Sequence, residues 1–124
     1  MSKQSLLKVV LGVFLFGIYS CGNLNGQTGS TDLQAAVKDG ALLVDVRTPE
    51  EYASGHVEGS VNIPLGELSE RLDELKSKDQ SIVVFCQSGG RSAQAKKLLE
   101  EKGYAAVVNG GGWANVKAAV DQHK

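Results

Sequence analysis

Two short apolar runs, Ala41 to Val46 and Ser81 to Phe85, constrain this chain more than any other feature. Neither alternates apolar with polar residues over its length, so each reads as a strand buried on both faces. Such a strand needs helices above and below it, and the segments around the two runs carry helical patterns. Strands that alternate with helices pair in parallel, because each crossover returns the chain to the same end of the sheet. The expectation is an α/β fold of three layers, a small parallel sheet of four to five strands with helices on both faces.

The remaining elements follow from local chemistry. Thr31 can cap a helix over 32–38, with Gly40 placed to stop it. Thr48-Pro49-Glu50-Glu51 combines an N-cap, a proline at the first helical position and a glutamate that completes a capping box, opening a short helix that carries Tyr52. Ser60 to Ile63 reads as a short strand ended by Pro64. Leu65, Leu68, Leu72 and Leu75 recur at helical spacing, which predicts an amphipathic helix over 65–77. Ser92 to Lys102 is a further predicted helix, with Leu98 and Leu99 inward and Gly103 as its stop. Ala105 to Val108 is a strand, Gly110-Gly111-Gly112 a flexible corner, and Trp113 to Asp121 a last helix whose Trp113 belongs to the core.

A chain of 124 residues holds one such domain. Its first twenty residues read as an export signal, since Lys3 and Lys8 precede an apolar run from Val9 to Tyr19. That run is too short to span a bilayer as a helix. It ends in Ile18-Tyr19-Ser20-Cys21, which resembles a bacterial lipobox, where a signal peptidase cuts before a cysteine that then receives lipid. The predicted organisation is a signal peptide over 1–20, lipidation of Cys21, a flexible linker over 21–30 rich in Gly, Asn, Gln, Thr and Ser, and a folded domain over 31–124. The domain is expected on the exported side, periplasmic or at the cell envelope, held to a membrane by acyl chains. Loss of Lys3 and Lys8 leaves 11 basic against 14 acidic residues, a formal charge of −3, which gives no footprint for nucleic acid. With Cys21 lipidated, Cys86 is the only free thiol. Without lipidation, Cys21 is available for a loose pairing with Cys86.

Cys86-Gln87-Ser88-Gly89-Gly90-Arg91-Ser92 is the candidate site. It lies between the carboxyl end of a buried strand and the start of a helix, where open parallel sheets bind ligands. Gly89 and Gly90 can adopt positive φ and turn their N–H groups inward around the sulfur. The helix N-terminus and the Arg91 guanidinium add positive potential. Such settings lower a free thiol pKa from near 8.5 to roughly 3.5–7.5, so Cys86 is the candidate nucleophile.

Four segments, in order and at matching spacing, resemble the single-domain rhodaneses, which are sulfurtransferases. Asp45-Val46-Arg47 with Thr48-Pro49-Glu50-Glu51-Tyr52 is similar to the family's Asp-x-Arg segment. Gly55 to Pro64 resembles its Gly-His-Ile-x-Gly-Ala-x-Asn-Ile-Pro, with Glu58 where Pro or Ala is more common. Cys86 to Ser92 matches its Cys-x-x-Gly-x-Arg-Ser loop, and Gly111-Gly112-Trp113 resembles its ending. The family's first edge strand has no counterpart in Gln27 to Ser30.

The resemblance implies a ping-pong sulfur transfer. Cys86 takes a sulfur atom from thiosulfate or a related anionic donor as a persulfide, then passes it to cyanide or a thiol acceptor. Arg91 either steers the donor or pairs within the fold, with Asp45 or Glu50 as partner, and the pairing is favoured. Ser88 and Ser92 can donate to the sulfur, Ser92 being better placed to cap its helix, and Gln87 tunes the rim. Asp45, Arg47 and His56 are read as structural support. A monomer without metal or cofactor is expected. One alternative is a rhodanese-like persulfide carrier or protein-binding module without fast thiosulfate turnover. Cysteine phosphatase or arsenate reductase chemistry is disfavoured, because those enzymes resemble Cys-x5-Arg and only Gln87 to Gly90 separate Cys86 from Arg91 here.

Overall fold

The computed structural model describes residues 29–124. The predicted signal, the linker up to residue 28 and Cys21 lie outside the described residues. The elements run α1 (Gly29–Lys38), β1 (Leu42–Asp45), α2 (Pro49–Ser54), β2 (Val61–Asn62), two 3₁₀ stretches (Leu65–Glu70 and Leu72–Glu74), β3 (Ile82–Cys86), α3 (Gly90–Glu101), β4 (Val107–Gly112) and α4 (Trp113–Gln122). The four strands form one sheet in the order β2-β1-β3-β4, and every pairing is parallel.

β3 sits inside the sheet and all five of its residues are buried, as a run with no polar alternation requires. Its side chains alternate between the two faces. Ile82, Val84 and Cys86 join Leu68, Leu75, Ala95 and Leu99 on one side, under α3 and the 3₁₀ stretches. Val83 and Phe85 join Leu33, Ala36, Val57 and Val116 on the other, under α1 and α4. These are the three layers expected from the sequence.

Two helix stops act through the predicted glycines. Gly40 and Gly103 take φ of 82° and 95°, and each lets the chain reverse with the hydrogen bonds of a Schellman cap. After α3, Gly103 N–H bonds to Glu100 O and Tyr104 N–H to Leu99 O; after α1, Gly40 N–H bonds to Val37 O and Ala41 N–H to Ala36 O.

Four local expectations are corrected. α1 begins at Gly29, so Thr31 lies inside its first turn rather than capping it. The helix expected over 65–77 is instead the two 3₁₀ stretches. Leu65 with Leu68, and Leu72 with Leu75, stand three apart, the spacing at which side chains eclipse in a 3₁₀ turn. The four-residue step between the pairs is taken up at Arg71, whose φ of −120° breaks the helix. Leu68 and Leu75 are still buried, so the leucine stripe marks the inward face although the turns that carry it are 3₁₀.

α3 starts at Gly90 with Gly89 as its cap, which places Ser92 in the first turn instead of at the cap. Finally, β4 runs through the three glycines and is no flexible corner. Pairing passes from Val84 with Asn109 to Phe85 with Gly111, so Gly110 is the extra residue of a bulge. A Cβ on Gly110 would stand 2.6 Å from Val116 Cγ2, and one on Gly112 would stand 2.8 Å from the carbonyl oxygen of Gln87. The glycines are therefore a close-packing requirement, through which β4 reaches α4 and the Cys86 loop.

Candidate active site around Cys86

The site begins where β3 ends. Cys86 is its last residue and Gly89, at φ 110°, turns the chain into α3 three residues later. This tight turn brings the Gly89 N–H to 2.9 Å from Cys86 Sγ. The Ser92 hydroxyl lies 3.6 Å from the same sulfur. Cys86 itself is only 1 % exposed, while Gln87, Ser88 and Gly90 form an exposed rim.

Two influences oppose one another at the thiol. Burial pushes it up, and the Ser92 hydroxyl together with the N–H groups of Ser92, Gly89 and Ser88 pulls it down. The donors acting together win, so the thiol ionises below its ordinary range. The arrangement favours an anion on sulfur, because the donors are fixed by the fold before charge develops.

Arg91 forms a bidentate pair within the fold. Its Nη1 and Nη2 donate to Glu51 Oε1 and Oε2 at 2.8 and 3.1 Å. Pairing within the fold was the favoured expectation, but the partner is Glu51 and neither Asp45 nor Glu50. Glu51 was already visible in the sequence as the capping-box residue, and it performs both tasks. Its backbone N–H donates to Thr48 Oγ1 at 3.2 Å and its Oε1 accepts from Thr48 N–H at 3.0 Å. The Arg91 hydrogen bonds, followed by the Thr48 N–H, hold the Glu51 carboxyl down at about 2. The pair thus ties the start of α3 to the start of α2.

Asp45 was consumed elsewhere. Its buried carboxylate accepts from Arg47 Nε at 3.0 Å and from Arg47 Nη2 at 2.7 Å. The same Nη2 donates to Gly55 O at 2.7 Å, and the guanidinium lies 4.7 Å from the centre of the Trp113 ring. A buried ion pair is tolerated only with its hydrogen bonds satisfied, which these contacts achieve. Trp113 is half-buried against the α1/α4 layer rather than fully in the core. His56 is exposed, stacked 3.9 Å from Tyr52, with Nδ1 2.9 Å from Tyr52 O.

One residue of the site escaped the sequence reading. Asn109 Oδ1 accepts from Ser92 Oγ at 2.7 Å and from Gly111 N–H at 2.9 Å. A polar side chain interrupting the apolar Val107-Val108 run was the signal that could have found it. Asn109 and Gly111 also help line a groove of about 480 Å³, with Leu33, Gln34 and Asn115, which lies between α1 and α4.

A family model, the rhodanese-like domain, matches residues 30–119. The chain belongs to the rhodanese-like domain family. Within that family it is 43 % identical over 74 residues to the thiosulfate sulfurtransferase PspE of Escherichia coli, covering 59 % of this chain and 71 % of that one. A sulfurtransferase of Allochromatium vinosum is 38 % identical over 80 residues, 64 % of this chain and 74 % of the relative. Among solved structures, a rhodanese with anions from E. coli superposes with a TM-score of 0.58 at 42 % identity, covering 60 % of this chain and 89 % of its own. This rhodanese-like chain therefore has sulfurtransferases as relatives over most of its described domain, with the fold they share.

Proposed function

We propose that this rhodanese-like protein is a sulfurtransferase of the thiosulfate type, with Cys86 as the residue that carries the sulfur. The observation that bears the reading is the Cys86 sulfur at the end of the buried central strand, facing the Gly89 N–H at 2.9 Å inside a loop with four residues between Cys86 and Arg91. In the first half-reaction the Cys86 thiolate attacks the outer sulfur of thiosulfate. The S–S bond of the donor breaks, sulfite leaves with the bonding pair, and Cys86 holds the sulfur as a persulfide anion. In the second, cyanide or a thiolate acceptor attacks the terminal sulfur and returns Cys86 as a thiolate. No separate general base is invoked, because the loop donors favour the thiolate form of the nucleophile. Ser88, Gly89 and Ser92 supply the donors that stabilise both anions, while Gln87 and Gly90 form the rim.

Arg91 acts through position in this reading: paired with Glu51, it fixes the loop and leaves only part of its charge to attract the donor. Asp45, Arg47 and His56 support the loops around the site. The leader adds a location, with Cys21 lipidated and the domain tethered outside the cytoplasm. The chain works as a monomer with a small anionic donor. Steady-state turnover of thiosulfate and cyanide is the direct test. Thiocyanate should form with the 124-residue chain and be absent with Cys86→Ser. Equal thiocyanate from both would refute the assignment of Cys86, and none from either would favour a persulfide carrier over a turnover enzyme.

A further inference from the structure

The hydrogen bonds around Ser92 are over-subscribed. A serine hydroxyl has one proton to give. Its Oγ lies 2.7 Å from Asn109 Oδ1, 3.1 Å from Gly89 O and 3.6 Å from Cys86 Sγ. Which of these receives the proton is decided one residue further away. The Gly111 N–H points at Asn109 at 2.9 Å, and an N–H cannot point at an amide NH₂, so the Asn109 amide must present its oxygen. That oxygen faces Ser92 as well. With Cys86 protonated, the Ser92 hydroxyl gives its proton to Asn109, the nearer of its two oxygen acceptors, ahead of Gly89 O, and its own oxygen is left to accept from the Cys86 S–H. A thiolate or persulfide can only accept, so the Ser92 hydroxyl serves the anion only in so far as it turns its proton toward sulfur and releases Asn109.

We propose that Asn109 is a positioning residue that competes with the Cys86 sulfur for the single proton of Ser92, and so sets how much of that donor the sulfur anion receives. Asn109 touches no reacting atom. Its effect passes through Ser92, and it is held in place by the bulged glycine strand, which makes Gly111 part of the same device. The benefit of the arrangement is a nucleophile whose anion is supported without being trapped: a hydroxyl committed to sulfur at all times would deepen the thiolate well and weaken the attack. The inference rests on Cys86 acting as the sulfur-bearing nucleophile.

The test is a thiolate titration, by ultraviolet absorbance against pH, on the full chain carrying Cys21→Ser so that Cys86 is the single thiol. Asn109→Leu removes the acceptor and keeps water from its place. It should move the thiol–thiolate equilibrium roughly threefold to tenfold toward thiolate, the scale of one ordinary net hydrogen bond. Asn109→Asp keeps the Gly111 bond, binds the hydroxyl proton more strongly, and should move the equilibrium the other way. Both shifts should shrink in a Ser92→Ala background, since the coupling runs through that hydroxyl. Unchanged titration in Asn109→Leu, or shifts of equal size with and without Ser92, would overturn the proposal. If Asn109→Leu does not fold, the Asn109→Asp pair with and without Ser92 decides alone. A chain that shows these shifts yet takes no sulfur from thiosulfate refutes the proposed function and leaves the Asn109 coupling standing.

Discussion

At the residue scale the proposed chemistry reduces to one buried sulfur and the donors aimed at it. Burial alone would push the Cys86 thiol up; the Ser92 hydroxyl and the N–H groups of Ser92, Gly89 and Ser88 outweigh it and bring the thiol below its ordinary range. Ser92→Ala should consequently raise the pH at which Cys86 becomes reactive and slow alkylation at neutral pH by roughly threefold to tenfold, measured as iodoacetamide labelling rate against pH. The Glu51–Arg91 pair gives a prediction with a defined pH window. The folded carboxyl titrates near 2 against an ordinary value of 4.5, so its stabilising contribution is present in full above pH 4.5 and is lost as pH falls through 2. Both side chains are about a third exposed, so solvent screens the pair and it is worth about 0.5–1 kcal/mol. Glu51→Gln retains a capping side chain, and urea unfolding should show it less stable than the parent by that amount at neutral pH, with the gap closing toward pH 2. Of these residues, the placement of Cys86 and its loop between a strand end and a helix start was legible from the apolar run before it and the Gly-Gly-Arg-Ser sequence after it. Glu51 was legible as a cap and invisible as a partner, since capping is set by neighbours three residues away whereas the Arg91 contact spans 40 positions.

At the element scale, the strands and helix stops were readable and the helix types were not. β1 and β3 announce themselves through apolar runs, and Gly40 and Gly103 through the left-handed turn each cap needs. The leucine stripe over 65–75 fits an α-helix and paired 3₁₀ turns almost equally, and only the break at Arg71 separates them. The glycine run was misread because glycine marks both mobile corners and close approaches. Packing decides between the two: Gly110 has Val116 Cγ2 and Val83 Cγ1 within 2.6 and 3.0 Å of a built Cβ. Gly110→Ala should accordingly destabilise the fold by about 1–3 kcal/mol, read from the urea midpoint at unchanged slope. A stability equal to the parent's would show that the strand yields easily and that the glycines serve flexibility after all.

At the scale of the whole molecule, a four-stranded parallel sheet places the Cys86 loop at its carboxyl end, and α2 reaches across to brace it through Glu51 and Arg91. The layers, the sheet direction and the site position followed from the order of elements. What lies before α1 is accessible to experiment through Cys21: a palmitate analogue fed to a bacterial expression host should label the chain and fail to label Cys21→Ala, and equal labelling would refute the proposed lipid anchor. The central claim, that Cys86 carries transferable sulfur, is tested most directly by weighing the intact protein after exposure to thiosulfate and removal of excess donor. The parent chain should gain the mass of one sulfur atom, and lose it again on addition of cyanide, while Cys86→Ser gains nothing. A parent chain of unchanged mass, or a Cys86→Ser variant that gains the same sulfur, would contradict it.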